Sequence, residues 1–599
     1  MRAQTFGEIT GEVRDSSGAV VPGANVTIED RDRGTHRSGV TNDSGVYTFP
    51  SLLPGTYNVK AEKSGFRPVT QKDILLQVQQ TVRLDFALEV GNVNQAVEVQ
   101  ASTTQLNTED ATVGTVIENK RVIELPLNGR NFLQLVALTP NTNYGFAPNS
   151  DIAGRLGGDR AAQTISIAGQ RISFNYFSLD GINNTDVTFN TYILLPSIDS
   201  ILEFKVQSGI YPAEFGRELS QVNVSTKPGG NQFHGALFEF LRNSFVDAKP
   251  YSFTSVHPPK TPFRWNQYGF TLGGPVWIPK LFNGRNRLFF MSNFEGFRQR
   301  QQLQAVFSSP PVSQRAGDFS SIANTIYDPL TRVNMGGTIT ATAFPGNMIP
   351  SNRISPTSQK ILEFLPVPNV NTSSLANNLL VVQNQPVDKD QFTQRIDVVE
   401  SNSSTWFGRY SQTAEDQTFP ALYLNGQTIA DNAKQALISN TRVFSPTMVN
   451  EFRFGLNHFF NTLGPQLAFQ RNVLSELNIP GLPPPPSSAW SPPGVAISGF
   501  SQFGGSSGPW TVWDTVFQWI DNFSVTRGKH SLRFGAEIRR DRYNEVGNTF
   551  LAGQFNLGAL QIYEVKSRSS HGRRGASFPE ILEASAEFGA AQSDNSVGA

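Results

Sequence analysis

Glu451-Phe-Arg-Phe-Gly-Leu-Asn-His-Phe-Phe460 is the stretch on which the fold turns. Phe452, Phe454, Leu456 and Phe460 alternate with Glu451, Arg453, Gly455 and Asn457. Successive side chains of a β-strand point to opposite faces, so this rhythm describes a strand with one apolar and one polar side. The rhythm returns at Ser531–Arg539, where Leu532, Phe534, Ala536 and Ile538 alternate with Arg533, Gly535 and Glu537. Similar segments lie at His234–Arg242, Tyr268–Val276, Arg287–Phe297, Phe392–Val399, Thr405–Gln412, Gln435–Val443 and Val516–Thr526.

A soluble sandwich could carry the same pattern, but two features favour a bilayer wall. The segments approach the roughly 9–11 residues that a tilted strand needs to cross a membrane. Aromatic residues gather toward segment ends, as in Phe289-Phe290, Phe459-Phe460 and Trp519, where interfacial girdles sit. No run of about 18 apolar residues is present to make a spanning helix, and a closed barrel is the other structure that satisfies its backbone in lipid. Charged residues make up 16% of the chain, which is low for a soluble protein, while Phe is abundant at 45. Lys plus Arg and Asp plus Glu both total 49, so no basic surplus points to nucleic acid. Cys is absent, so sheet hydrogen bonding and packing must hold the fold.

Between the segments, Gln301–Lys389 and Thr462–Gly508 are rich in Pro, Ser, Asn and Gly and include Pro483-Pro-Pro-Pro486. They read as long irregular extracellular loops, with flexible linker as the alternative.

Upstream lie two further units. In the second, Leu125-Pro-Leu-Asn-Gly-Arg-Asn-Phe132 leads into apolar Leu133–Leu138. Ile165-Ser-Ile-Ala-Gly-Gln-Arg171 and Ser178-Leu-Asp-Gly-Ile182 follow. Then come Pro196–Gly209, Tyr211-Pro-Ala-Glu-Phe-Gly216 and Val222-Asn-Val-Ser-Thr-Lys-Pro-Gly229. Asp180-Gly181 suits a tight hairpin turn. Ile198–Gln207 predicts a helical turn running into a strand over Glu203–Gln207, and Gly216 lets the chain turn before a strand at Val222–Thr226. In the first unit, short strands are predicted at Ile9–Arg14, Ala24–Glu29, Val46–Phe49, Thr56–Ala61 and Val82–Leu88. Turns at Asp15-Ser-Ser-Gly18, Asn42-Asp-Ser-Gly45 and Pro54-Gly55 separate them, which is the signature of a small sandwich.

These motifs resemble known families. Gly11-Glu-Val-Arg-Asp15, Pro22-Gly-Ala-Asn-Val26, Thr41-Asn-Asp-Ser-Gly-Val-Tyr47 and Leu53-Pro-Gly-Thr-Tyr57 resemble the carboxypeptidase regulatory-like domain. That resemblance implies a prealbumin-like sandwich with no peptidase activity. The second unit's segments, in their order, resemble the plug of TonB-dependent receptors. Its motif residues here are Gly169, Arg171, Asp180, Gly181, Gly209, Gly216, Asn223 and Lys227. Taken whole, the chain resembles the Oar-like group of those receptors. The fold class expected is mainly β: a prealbumin-like sandwich over 1–98, an α+β plug over 99–230, and a partial antiparallel transmembrane barrel over 231–563. The resemblance implies location in the outer membrane with the sandwich periplasmic, and energised uptake of an unidentified extracellular ligand. The partners it implies are TonB with its inner-membrane energising complex and outer-membrane lipid, with no cofactor.

Ala96-Val97-Glu98-Val99-Gln100-Ala101 resembles the TonB box, a segment that would add as a strand to TonB. It reads equally as a linker strand after the sandwich. Two other functions are weighed: a surface adhesin or structural outer-membrane protein that kept the plug without transport, and a carbohydrate-binding module carried by the sandwich.

Gly504-Gly-Ser-Ser-Gly508 matches a hydrolase nucleophile pattern but has no strand before it or helix after it, so no catalytic residue is expected. His36, His234, His257, His458, His530 and His571 are scattered singly, which argues against a zinc site. Met1-Arg-Ala-Gln-Thr-Phe6 has no apolar export segment, and it reads as a start placed just after a signal peptide. Roughly nine or ten alternating segments fall short of the about 22 strands of plugged transporter barrels. The stretch 564–599, with Ser567-Arg-Ser-Ser-His-Gly-Arg-Arg574, reads as a non-barrel tail on a truncated chain, with translation out of frame as its expected origin.

Overall fold

A computed structural model describes residues 6–557 except 92–96, 101–111, 145–164, 172–173, 188–189, 210–219, 250, 252–259, 337, 371–374, 422–423, 425, 480–483, 498–499, 506–507, 529 and 548–551. The chain first forms β1 (Gly7–Asp15), β2 (Asn25–Asp30), β3 (Thr35–Val40), β4 (Val46–Leu52), β5 (Gly55–Glu62), β6 (Val69–Leu76), β7 (Thr81–Arg83), β8 (Phe86–Leu88) and β9 (Val97–Gln100). One sheet has the order β4-β1-β7 with β8 also on β1, and the other has β3-β2-β5-β6-β9. Ile9, Val13, Tyr47 and Phe49 of the first meet Val26, Ile28, Val59 and Ile74 of the second in one core. The strand expected over Val82–Leu88 is broken into β7 and β8. Between them the Leu84 carbonyl accepts the Tyr47 hydroxyl at 2.7 Å, and the Asp85 carboxylate accepts the Glu12 N–H at 2.8 Å.

The central unit holds β10 (Gly114–Glu118), a short helix (Asn119–Glu124), β11 (Thr142–Tyr144), β12 (Ile165–Ile167), β13 (Asn175–Leu179), β14 (Ile182–Asn183), β15 (Ile201–Gln207) and β16 (Ser220–Thr226). Its main sheet has the order β10-β15-β16-β13-β14, with β13 parallel to β16 and the other pairs antiparallel. The predicted helical turn is present at Ile198–Ser200, and β15 starts immediately after it, two residues earlier than expected.

The remaining chain builds a wall from β17 (His234–Asn243), β18 (Phe263–Pro275), a small hairpin of β19 (Trp277–Ile278) and β20 (Phe282–Asn283), and then β21 (Leu288–Phe307). A second hairpin, β22 (Tyr327–Met335) and β23 (Thr338–Ala343), precedes β24 (Leu379–Ser401), β25 (Ser404–Phe419), β26 (Gln427–Ser445) and β27 (Met448–Pro465). After β28 (Gly494–Ile497) come β29 (Trp510–Arg527), β30 (His530–Gly547) and β31 (Gln554–Leu557). Nine strands pair in the order β17-β18-β21-β24-β25-β26-β27-β29-β30, each antiparallel to its neighbour. Each alternating segment of the sequence falls on one of them, to within a residue at its ends.

The burial of this wall is inverted relative to a soluble sheet. On β27, Glu451, Arg453 and Asn457 are buried, whereas Phe452 is 37% exposed. The same holds for buried Ser411, Gln435 and Gln518 against exposed Tyr410, Ile438 and Trp519. Polar groups face the central unit and apolar groups face outward, as in a barrel whose outer solvent is hydrocarbon. One sequence reading is corrected here. Adjacent aromatic residues cannot both face lipid at period two, so Phe289 and Phe459 turn inward and are buried, and only their neighbours look outward.

The wall has a short end and a long end. Two-residue turns at 402–403 and 446–447 lie at one end, where β29 also passes into β30, and the long connections 308–378 and 466–509 leave the other. The expected irregular loops are also corrected. Gln301–Phe307 pairs with Leu379–Gln385 as a continuation of β21 and β24. In these extensions Gln301, Gln302 and Gln304 with Gln383, Asn384 and Gln385 fall on both faces, and Ala305–Phe307 and Leu379–Val382 are continuous apolar runs, so apolar alternation does not mark them. Beyond them the two long connections fold together. Phe319, Ile326, Phe344 and Ile349 form one apolar cluster, and Leu365, Val473, Leu477 and Phe503 form another that spans both connections.

Candidate functional site at the seam between central unit and wall

Asp180 and Gly181 both take positive φ, 51° and 79°, and turn β13 back into β14. The turn aims Asp180 at the wall. Its carboxylate accepts from the Thr226 N–H at 2.8 Å and the Thr226 hydroxyl at 2.7 Å. Arg409 of β25 lies 2.7 Å from it, and Arg395 of β24 lies 3.6 Å away. Arg395 also pairs with Asp397 at 2.8 Å, donates to the Thr226 carbonyl at 3.2 Å and lies over the Phe407 ring. Arg409 donates to the Leu179 carbonyl at 3.3 Å. Asp180, Arg395, Arg409 and Asp397 are all buried, so two cations face two carboxylates away from water.

The seam continues on both sides. Asn183 donates its N–H to Gln518 at 2.9 Å, and its carbonyl accepts from Gln435 at 3.0 Å and from Asn457. Gly455 leaves room for this approach, since a Cβ there would lie 2.9 Å from the Ile182 side chain. On the other flank Arg130 pairs with Asp199 and, at 3.5 Å, with Glu295, which also accepts from Ser197 at 2.6 Å. A cavity of about 510 Å³ opens there, lined among others by Arg130, Asn131, Trp265, Gln267, Glu295 and Gln391. Ion pairs and amides thus make most of the named contacts across this seam, so parting it would mainly expose polar groups to water.

The motif residues divide by position. The structure brings Asp180 and Gly181, in the β13–β14 turn, together with Asn223 on neighbouring β16, where Asn223 accepts from Ser178 at 2.6 Å and donates to Gln207 at 3.2 Å. Lys227 follows directly, its N–H donating to the Ser200 carbonyl at 2.8 Å, and burial lowers its ammonium pKa against the opposing charge of Asp199. Gly169 and Arg171 lie apart, after β12, and Gly209 lies just past β15. Gly216 lies outside the described residues. Of Ala96–Ala101, the backbone of Val97–Gln100 is described as β9, while Ala96 and Ala101 are not. Sequence reasoning missed Arg395, Arg409, Arg130, Glu295 and Gln435. For the four on wall strands the only signal is a charge or amide on the polar side, while Arg130 belongs to the central unit and lies inside the Leu125–Phe132 segment. Among the described residues no group of three or more His, Cys, Asp or Glu is placed to hold a metal ion.

A mainly β molecule with a polar-lined, lipid-faced wall around a folded inner unit defines an outer-membrane barrel protein. The chain belongs to the outer membrane beta barrel domain family, whose match covers residues 225–593, and residues 8–89 match the carboxypeptidase regulatory-like domain. It is 26% identical over 285 residues to the TonB-dependent transporter Oar of Myxococcus xanthus, an alignment covering 45% of this chain and 25% of that protein. Among solved structures, the outer membrane transporter YddB from Escherichia coli is 10% identical with a TM-score of 0.44, over 71% of this chain and 48% of that one. A ferric enterobactin receptor mutant from Pseudomonas aeruginosa is 11% identical with a TM-score of 0.38, over 72% and 49%. The chain therefore spans about a quarter of the curated relative and about half of these solved transporters. It is an outer-membrane protein.

Proposed function

We propose that the chain carries the sandwich, plug and nine wall strands of a TonB-dependent transporter that takes up an extracellular substrate. The observation that carries this reading is the seam around Asp180. A unit fixed to its wall by Arg395, Arg409, Gln435 and Asn457 is anchored at rest yet can separate into water with modest apolar exposure. In this reading the short-turn end is periplasmic, the folded long connections face outward and offer the first contact for substrate, and Val97–Gln100 is the segment that TonB engages by strand addition. The similarity to Oar supports the same assignment.

The test is a crosslink. The chain has no Cys, so Val97→Cys or Val99→Cys introduces a single thiol. Either variant is expected to trap TonB in intact cells. A correctly inserted receptor that never traps TonB from either position refutes the assignment.

A further inference from the structure

We propose that the sandwich is a latch: docked across the short-turn mouth, it holds the plug in place and keeps β9 paired to its own edge until it is pulled away. The proposal rests on the transporter reading above.

Four anchors carry it. The Asp32 and Arg33 carbonyls, in the β2–β3 turn, accept from the Asn231 N–H at 3.0 Å and its side-chain amide at 2.7 Å, where the plug passes into the wall. Asn42 donates to the Gly528 carbonyl at 2.7 Å in the β29–β30 turn, and Glu8 pairs with Arg533. In the β6–β7 connection the Val78 N–H donates to the Glu203 carboxylate, and the Gln79 carbonyl accepts from Lys205 at 3.2 Å, both partners lying on plug strand β15. Phe6 enters the lumen and is buried with Ile182, Phe407 and Leu437. The sandwich thus grips the plug sheet, the plug–wall junction and the turns of the wall at once. Moreover, β9 runs parallel to β6 from Val69↔Val97 to Lys72↔Gln100. As the edge strand of that sheet, β9 has one hydrogen-bonding edge engaged by β6, and TonB can add through that edge only after the segment has left β6.

The geometry supplies its own lock. A Cβ on Gly39 would lie 3.6 Å from the Cβ of Pro446 in the β26–β27 turn, inside the about 3.5–4.5 Å that disulfides span. In a chain without Cys, Gly39→Cys with Pro446→Cys makes a single pair. Two readouts are taken on the full-length receptor, oxidised and then reduced: photo-crosslinking to TonB from a benzophenone residue at position 99, and channel opening by urea in planar bilayers. The oxidised pair is expected to form spontaneously in outer membranes, to lower TonB crosslinking at least tenfold and to abolish urea-induced opening, all reversed by reductant. Asn42→Ala with Asn231→Ala is expected to act oppositely, raising opening at a fixed urea concentration roughly thirtyfold, as loss of the two side-chain hydrogen bonds to Gly528 and Arg33 predicts. Failure of the disulfide to form, or opening that is equal in the oxidised and reduced states, overturns the latch. If crosslinking is absent even in the Cys-free parent, the TonB assignment fails, and the urea readout still decides the latch.

Discussion

Replacing Asp180 with Ala tests whether charge balance holds the β13–β14 hairpin to the wall. The native cluster sets Arg395 and Arg409 against Asp180 and Asp397, and all four are buried. Arg395 keeps Asp397 at 2.8 Å, but Arg409 loses its only carboxylate within 4.0 Å among the described residues. Two cations then face one anion. Removing one partner of a buried pair costs on the order of 3–5 kcal/mol, chiefly because the other charge stays buried and unpaired. The Thr226 N–H and hydroxyl also lose their acceptor, 2.8 and 2.7 Å away. At about 1.4 kcal/mol per factor of ten, the hairpin should open roughly a hundred to several thousand times more often. Hydrogen exchange of the Ile182 amide and of the Asn184 amide, which donates to the Phe177 carbonyl at 2.9 Å, reads this opening in purified protein in detergent. The informative control is Asp180→Ala combined with Arg409→Met, which removes the stranded cation and should recover a large part of the lost protection. Unchanged exchange in the single variant refutes the reasoning. So does a double variant that exchanges as fast as the single one.

Two further outcomes are expected. Burial raises the Glu203 carboxyl to about 7 from 4.5, with Glu118 adding to the rise and the Val78 N–H and Lys205 opposing it. The docked state therefore holds this proton more tightly than an undocked one with an ordinary carboxyl. Docking strengthens as pH falls from about 7 toward 4.5 and is weakest above that window, by on the order of 3 kcal/mol. Protection of the Val78 amide, corrected for intrinsic exchange, should thus be greater at about pH 5 than at pH 8, and Glu203→Gln should remove the difference; an equal pH dependence in that variant counts against the mechanism. Separately, Ile438 on β26 is 45% exposed on the outward face. Ile438→Arg should destabilise folding into lipid vesicles by roughly 2–4 kcal/mol if the residue sits near the midplane. No loss in urea titration would mean that this face meets water.

The wall was legible because lipid outside and a polar lumen inside impose opposite demands on neighbouring residues, as between Phe452 and Arg453. That contrast ends where both faces of a strand are wet, so the upper parts of β21 and β24, such as Gln299–Gln304, carried no sign of being strands. Sandwich strands β3 and β6 escaped for a related reason: Thr35-His-Arg-Ser-Gly-Val40 and Val69-Thr-Gln-Lys-Asp73 place few apolar groups in alternation. In the seam, Asp180-Gly181 was readable as a turn because its backbone requirement is local. Its role as the counter-ion of Arg395 and Arg409 was not, since those residues lie more than two hundred positions away and look like any lumenal arginine. The candidate TonB segment could be read as a strand but not assigned a partner, because extended alternation fits any sheet edge.

The two apolar clusters beneath the long connections have an effect beyond holding those segments together. Chain that must be ordered at the moment of contact gives up part of its interaction energy to lost freedom. Here Phe319 and Phe344, and beside them Leu365 with Phe503, have already frozen the backbone around them. In the proposed orientation, a substrate arriving at this end meets a contoured surface around those clusters. Recognition at that rim can then discriminate by shape, and exchange groups at small entropic penalty.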